Sequence, residues 1–432
     1  MFKRVFIGLV TLGVLGLLGF GALAWRPAIA PIARPAPGSF APELVAKGEV
    51  LSGSGYCAEC HTAKGGEMFA GGYAMATPFG VIYSTNITPD PETGIGTWSE
   101  AAFARAMHEG IAQGGSHLFP AFPFDHFTKV SDDDVRAIYA YLMTRPPVRA
   151  LAQANTIPFP FNIRAFQEGW KILFFRSGRF ESVAGKSAEW NRGAYLALGL
   201  GHCGSCHTPR NLLGAEKAGD AYAGAVVDNW IAPALTAANP TPVPWTQEEL
   251  FSYLRNGVSV LHGTAAGPMA PVVRQLSTLP DSDIQALATY FADIDHAGDR
   301  LASVDPAVAR AMSYASLGTR QEFDTDARLY AAACASCHYN AGETPLAVRP
   351  DLALNSAVNL PEPTNLIQVI LRGISAKEGM PGVVMPSFAG AFSDADVARI
   401  AAYLRRTRTN LAPWPDLDAK IAAMRRVISA SQ

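Results

Sequence analysis

All six cysteines of this 432-residue chain fall into three copies of one pattern: Cys57-Ala-Glu-Cys60-His61, Cys203-Gly-Ser-Cys206-His207 and Cys334-Ala-Ser-Cys337-His338. Thiols three residues apart stand one helical turn apart, and an imidazole follows directly. This spacing suits covalent attachment of a porphyrin. Each thiol forms a thioether with one vinyl group, and the imidazole is held beneath the iron as its proximal ligand. A lone pair of thiols could instead serve redox exchange or half of a zinc site. Neither alternative explains a histidine after every second cysteine in three copies with no cysteine left over. The chain is therefore expected to carry three covalent haem c groups on Cys57, Cys60, Cys203, Cys206, Cys334 and Cys337. His61, His207 and His338 are the expected proximal ligands.

A second axial ligand is commonly methionine, which raises the potential. Two methionines occupy equivalent places in proline-bearing segments that read as loops: Met269 in Gly267-Pro-Met269-Ala-Pro271, and Met385 in Val384-Met385-Pro386-Ser-Phe388. Both are expected ligands, with Met380 a competitor beside the second. The first copy departs from the pattern. Aligned on Met385, it reads Phe122-Pro-Phe124, and phenylalanine cannot ligate iron. His126 is the first choice there, with Met75, Met107, His108, His117 and an open position as alternatives.

These ligands need a frame, and the chain supplies it as a repeat. Each copy opens with a short helix leading into the motif: 44–53, 191–200 and 326–333. Each continues with a middle helix that stops at glycine: Trp98 to Gly110, Trp245 to Gly257, Pro363 to Gly373. Ser99 and Thr246 occupy N-cap positions, and the closing glycines are C-cap residues. Each ends in a helix with an acidic start: Ser131 to Leu142, Asp281 to Phe291, Ser393 to Leu404. A helix entering C-x-x-C-H and a last helix crossing it are the frame of a small haem domain. The predicted fold is mainly α, with three tandem cytochrome c-like domains behind one N-terminal membrane helix. The turn-rich stretch holding Thr77-Pro-Phe-Gly80, Ser84 to Asp90 and Thr93 to Gly96 reads as an ordered loop. It either packs on haem, faces a partner or forms a surface array of turns.

Lys3 and Arg4 precede an apolar run of 21 residues from Val5 to Trp25, which as a helix spans about 31 Å, enough for a bilayer core. Two readings compete, a retained anchor or a signal cleaved after Ala22-Leu23-Ala24, and length favours the anchor. The positive end stays cytoplasmic. This puts the body on the periplasmic side of the inner membrane, in contact with membrane lipid. The expected division is anchor 1–25, Pro-rich spacer 26–40, haem domain 41–149, aromatic-rich linker 150–185, haem domain 186–296, linker 297–325, haem domain 326–410 and amphipathic tail 411–432. The linker stretch from Ile157 to Phe175 could touch lipid or a partner, although packing between domains is the blander reading. The tail carries an apolar stripe of Leu417, Ile421, Met424 and Ile428, a second candidate for lipid contact. With 35 basic and 37 acidic residues and no basic patch, nucleic-acid binding is not expected. No hydrolase triad, phosphate loop or zinc motif is present.

The chain resembles the three-haem cytochrome c subunits of bacterial membrane-bound periplasmic dehydrogenases acting on alcohols, gluconate or aldehydes. The resemblance is carried by Thr77-Pro-Phe-Gly80, Tyr83 to Asp90, Gly94-Ile-Gly96, Pro120-Ala-Phe-Pro123 and the three haem motifs. It implies electron transfer from a catalytic dehydrogenase subunit through the haems to ubiquinone. Phe122 with Asp125-His126 and the anchor look more like the cytochrome partner of molybdenum hydroxylases, which oxidise aldehydes or N-heterocycles and use a separate iron–sulfur subunit. The alternatives are the cytochrome subunit of a quinoprotein alcohol or flavin gluconate dehydrogenase, a multihaem peroxidase with an exchangeable site at the first iron, and a tethered carrier without a fixed partner. No substrate catalysis by the chain itself is expected in the leading reading.

Overall fold

The structure, a computed structural model, describes residues 2–317, 324–338, 344–376, 378 and 384–430. The chain forms two compact units: Met1–Ser182 with Ala197–His202, and Val183–Leu196 with Cys203–Gln432.

The first unit begins with helix α1 (Phe2–Ala24), whose side chains are almost all exposed. It is long and apolar enough to cross a membrane, with a mean hydropathy of 2.3. The haem-domain frame follows: α2 (Pro42–Ser54), α3 (Cys57–Cys60), a hairpin of β1 (Ala74–Thr77) and β2 (Gly80–Tyr83), α4 (Glu100–Glu109), α5 (Phe124–Phe127) and α6 (Asp132–Met143). Helix α6 is buried over most of its length, including Ile138, Leu142 and Met143. Helix α2 crosses it at Gly48. A Cβ on Gly48 would lie 1.9 Å from the Ala137 carbonyl oxygen and 2.8 Å from the Tyr141 Cβ, so only glycine permits the crossing. Helix α7 (Phe166–Phe174) closes the unit beside α1.

The second unit repeats the frame twice. Its first pass runs α8 (Ala188–Leu198), α9 (Gly204–His207), the hairpin β3 (Ala225–Val227) and β4 (Trp230–Ala232), α10 (Gln247–Asn256), β5 (Val258–Ser259) and β6 (Gly263–Thr264), α11 (Met269–Leu276) and α12 (Asp281–Ile294). Gly193 of α8 stands against α12 as Gly48 stands against α6: its Cβ would meet the Ala286 carbonyl oxygen at 1.9 Å. Helix α13 (Val304–Leu317) leads to the second pass: α14 (Thr325–Ala333), α15 (Ala335–His338), α16 (Ser356–Asn359), α17 (Thr364–Arg372) and α18 (Asp394–Arg408). There the crossing position holds the buried Ala327, and Tyr330 packs on Tyr403 with ring centroids 5.3 Å apart.

The caps follow the sequence. Ser99 and Thr246 accept hydrogen bonds from the backbone N–H groups of Ala102 and Glu249. Gly110, Gly257 and Gly373 end α4, α10 and α17 with φ of 63°, 76° and 74°, where a Cβ would be strained. Ser131 and Ser393 cap α6 and α18.

Three expectations change. The stretch expected to be loop throughout contains the β1–β2 hairpin, with Thr77 and Gly80 paired at its turn. Met269, expected on a loop, is the first residue of α11. Helix α19 (Leu417–Ala430) does not offer its stripe to lipid: Ile421 and Ile428 are buried in the core of the third repeat, and Leu417 and Met424 pack against it.

Candidate functional site

The three motifs have one local geometry. Each closes a single helical turn, with the histidine N–H donating to the carbonyl of the first cysteine: His61 to Cys57 at 2.9 Å, His207 to Cys203 at 3.1 Å, His338 to Cys334 at 2.9 Å. The cysteines of each pair therefore share a helix face. None is in a disulfide. Burial pushes the Cys203 thiol up to about 12 and the Cys334 thiol up to about 11. A redox-active pair needs the opposite shift. Among the described residues no cysteine sits with two further His, Cys, Asp or Glu donors at metal-binding separation.

The histidines are held identically. Nδ1 of His61 lies 2.6 Å from the Thr85 carbonyl oxygen, Nδ1 of His207 2.7 Å from that of Pro233, and Nδ1 of His338 3.3 Å from that of Pro350. A carbonyl only accepts, so Nδ1 carries the hydrogen and Nε2 holds the lone pair. This tautomer, fixed by a backbone acceptor, is the one a metal-bound imidazole uses. Burial pushes the pKa of all three below the ordinary histidine value, so the rings are neutral, as a ligand must be. The donor set fits haem c at each motif.

The Thr85 carbonyl is delivered by the turn-rich stretch of the first repeat. Asn86 accepts from the N–H and hydroxyl of Thr88 and donates to Thr93 Oγ1 and the Val148 carbonyl. Asp90 accepts from Glu92 N, Thr93 N and Thr93 Oγ1. Asn86, Thr88 and Asp90 are buried, so this is no surface array of turns. It is a wound support behind His61. The second repeat reuses the device: Asn239 accepts from Thr241 and donates to the Ala234 carbonyl, one residue past Pro233. The shared signature, Asn86-Ile-Thr88-Pro89 and Asn239-Pro-Thr241-Pro242, was the available sequence signal for it.

Sixth-ligand candidates separate by what already holds them. His108 has Nε2 3.1 Å from the Val130 carbonyl oxygen and Nδ1 2.6 Å from Arg179 Nη2. His117 has Nε2 2.8 Å from the Ala24 carbonyl oxygen and Nδ1 3.1 Å from Lys171 Nζ. Both rings are spent on the protein. Met107 is buried on α4, whereas Met75 is half-buried on β1 opposite Ile82. His126 is buried on α5. Its Nδ1 lies 3.0 Å from the Leu198 carbonyl oxygen, and its ring packs beside His202, the residue before Cys203. Met269 starts α11 just past Gly267, and Met385 pairs with Ile374 through two backbone hydrogen bonds and packs on the third core. Met380 lies outside the described residues.

Two family profiles match the chain: Cytochrome c over residues 45–146, and Cytochrome C oxidase, cbb3-type, subunit III over residues 321–404. The fructose dehydrogenase cytochrome subunit of Gluconobacter japonicus is 37% identical, over 86% of this chain and 80% of that one. The gluconate 2-dehydrogenase cytochrome c subunit of Pantoea cypripedii is 36% identical, over 96% and 94%. This chain belongs to the family of dehydrogenase cytochrome c subunits. A nicotinate dehydrogenase subunit of Pseudomonas putida is 46% identical over 95% of this cytochrome, which spans only 34% of that longer protein. Membership makes covalent haem c and electron transfer properties of the chain.

Sequence reasoning missed the backbone acceptors Thr85, Pro233 and Pro350. It also missed the amide groups that join the two passes of the second unit. Asn365 of α17 accepts from the Ile231 N–H and donates to the Ile231 carbonyl, both at 2.8 Å. Gln368 donates to the Asn229 carbonyl, and Asn355 to that of His262. Beside Ile231, the Trp230 ring closes over Gly267, where a Cβ would lie 2.4 Å from it. The segment that enters Met269 is thus braced from the third repeat.

Proposed function

We propose that the chain is a membrane-anchored three-haem cytochrome that carries electrons from a periplasmic dehydrogenase to ubiquinone at the inner membrane. The observation that carries it is the threefold recurrence of a C-x-x-C-H turn whose histidine has Nδ1 clamped by a main-chain carbonyl and Nε2 left for iron. Bound haem supplies one-electron exchange. The protein supplies axial ligands, fixed imidazole tautomers and separation from water. His61, His207 and His338 would hold the irons as proximal ligands, and Met269 and Met385 would supply the second ligand in the second and third sites. His126 takes the sixth position of the first site. Its Nδ1 rests on a carbonyl, as in the three motif histidines.

Retention of the N-terminal helix is supported by its ties to the body. The Ala24 carbonyl accepts from His117, and the Phe20 ring lies 6.2 Å from that of Phe166. Cleavage after Ala24 would leave His117 without its acceptor. The partner we favour is a molybdenum hydroxylase with a separate iron–sulfur subunit, acting on an aldehyde or N-heterocycle. Phe122 in place of methionine and the 46% identity to the nicotinate dehydrogenase subunit support that branch over the alcohol and gluconate enzymes.

A pyridine haemochrome assay should return three haems per chain, and the denatured band should stain for haem. Two per chain would reject the reading. Purification from native membranes should bring down molybdenum and iron–sulfur subunits; a quinoprotein or flavoprotein instead would move the chain to the other branch.

A further inference from the structure

Helix α7 is inside out for a protein surrounded by water. Its two charged residues point inward: Glu168 is 8% exposed and Lys171 is 7% exposed. Three of its large apolar residues point outward, Phe166 at 46% exposed, Ile172 at 53% and Leu173 at 59%, while Trp170 packs on the buried Phe124. The preceding segment continues the apolar surface with Phe159, Phe161 and Ile163, of which Phe159 is 78% exposed. The inward charges are fully engaged. Lys171 Nζ donates to the carbonyls of Glu109 and Gly110 at the end of α4 and to His117 Nδ1. Glu168 holds Arg26, just past the end of α1. The orientation is therefore fixed by charge pairing and cannot roll to hide its apolar face.

The apolar surface is continuous with that of the N-terminal helix. The Phe20 ring lies 6.2 Å from that of Phe166, and Gly169 admits it, since a Cβ there would meet Phe20 at 3.8 Å. Arg176, exposed just past α7, sets a cation at the edge of the patch. An apolar outer face, buried charges and a flanking cation are the pattern of a helix lying in a membrane interface. We propose that residues 159–176 lie in the outer leaflet of the bilayer beside the anchor, as a second lipid contact that fixes how the first haem domain faces the membrane. This rests on the reading of α1 as a retained span.

The full-length, haem-loaded chain is reconstituted into phosphatidylethanolamine–phosphatidylglycerol vesicles containing a lipid with a photoactivatable acyl chain, and labelled peptides are mapped. Label is expected on Phe166, Ile172 and Leu173 as well as on α1. The paired substitution I172D/L173D, on exposed positions, should cut labelling of this segment about tenfold or more, as loss of two buried apolar side chains implies, with the haem spectrum unchanged. Labelled α1 with an unlabelled 159–176 segment would overturn the proposal and give that surface to a protein partner or to water. An unlabelled α1 would instead remove the anchor reading on which it rests.

Discussion

Gly48 and Ala137 are in direct backbone contact, close enough that a methyl group on Gly48 would lie 1.9 Å from the Ala137 carbonyl oxygen. The crossing of α2 over α6 therefore depends on a missing side chain, and Gly193 repeats the relationship with Ala286. Gly48→Ala and Gly193→Ala should each destabilise the haem-loaded protein by about 1–3 kcal/mol, the cost of overpacking a rigid contact. Gly38→Ala, at a position with open space around it, should stay within about 0.5 kcal/mol. Thermal unfolding followed at the haem Soret band distinguishes them, and equal melting temperatures would refute the close crossing.

His108 should make the first unit sensitive to acid. Burial first, and the Arg179 guanidinium second, hold its pKa down at about 4 against an ordinary 6.5. Between those values the unfolded chain binds a proton that the folded protein refuses, so stability present above pH 6.5 is lost as the pH falls through 4. The loss is on the order of 3 kcal/mol. His108→Gln removes the titration, and its denaturant midpoint should decline less over that window than that of the parent. Parallel declines would show that other groups dominate.

Met269→Ala and Met385→Ala should each lower the midpoint potential of one haem, since loss of the thioether removes a ligand that favours reduced iron. His126→Ala should turn the first haem high-spin. A low-spin spectrum retained in that variant would pass the ligand role to Met75 or Met107. With His126 as its second ligand, the first haem should titrate lowest of the three and receive electrons first. Stepwise reduction of the purified complex by its own substrate checks that order.

The pairing of Arg26 with Glu168 should matter more than a surface ion pair. Glu168 is buried, and its removal leaves Arg26 without its carboxylate partner and Lys171 with one less neighbouring negative charge. Glu168→Ala should cost about 1–3 kcal/mol and loosen the linker from α1, which limited proteolysis at residues 25–35 would register. Glu362→Ala, which breaks the exposed pair with Lys420, should change little.

The parts of this protein legible in its sequence are those where residue type is dictated locally. Cys57-x-x-Cys60-His61 and its copies have one chemical use at that spacing. Gly110, Gly257 and Gly373 sit at left-handed positions that favour glycine, and Ser99, Thr246, Ser131 and Ser393 offer the oxygens that helix starts require. What was hidden depends on atoms every residue has, or on partners far along the chain. The carbonyls of Thr85, Pro233 and Pro350 leave no mark of their own. His108 and His117 looked like possible ligands because Arg179 and Lys171, more than fifty residues away, are what engage them. Helix α7 read as an aromatic linker because an inverted amphipathic pattern has the same periodicity as an ordinary one, and only the burial of Glu168 and Lys171 tells which side faces out.

Asn365 meets both the N–H and the C=O of Ile231, so its side-chain amide stands in for a peptide group of a neighbouring strand. An aspartate could accept but not donate there. Were haem bound at Cys203–Cys206 and at Cys334–Cys337, this joint would be a spacer as well as a fastening. Tunnelling between two irons falls exponentially with the gap, and a side chain that locks the Trp230 hairpin to α17 keeps that gap from drifting with thermal motion. Asn365, with Gln368 and Asn355 beside it, would thereby set the pace of exchange between the second and third sites from a distance, through a fixed separation of their motifs.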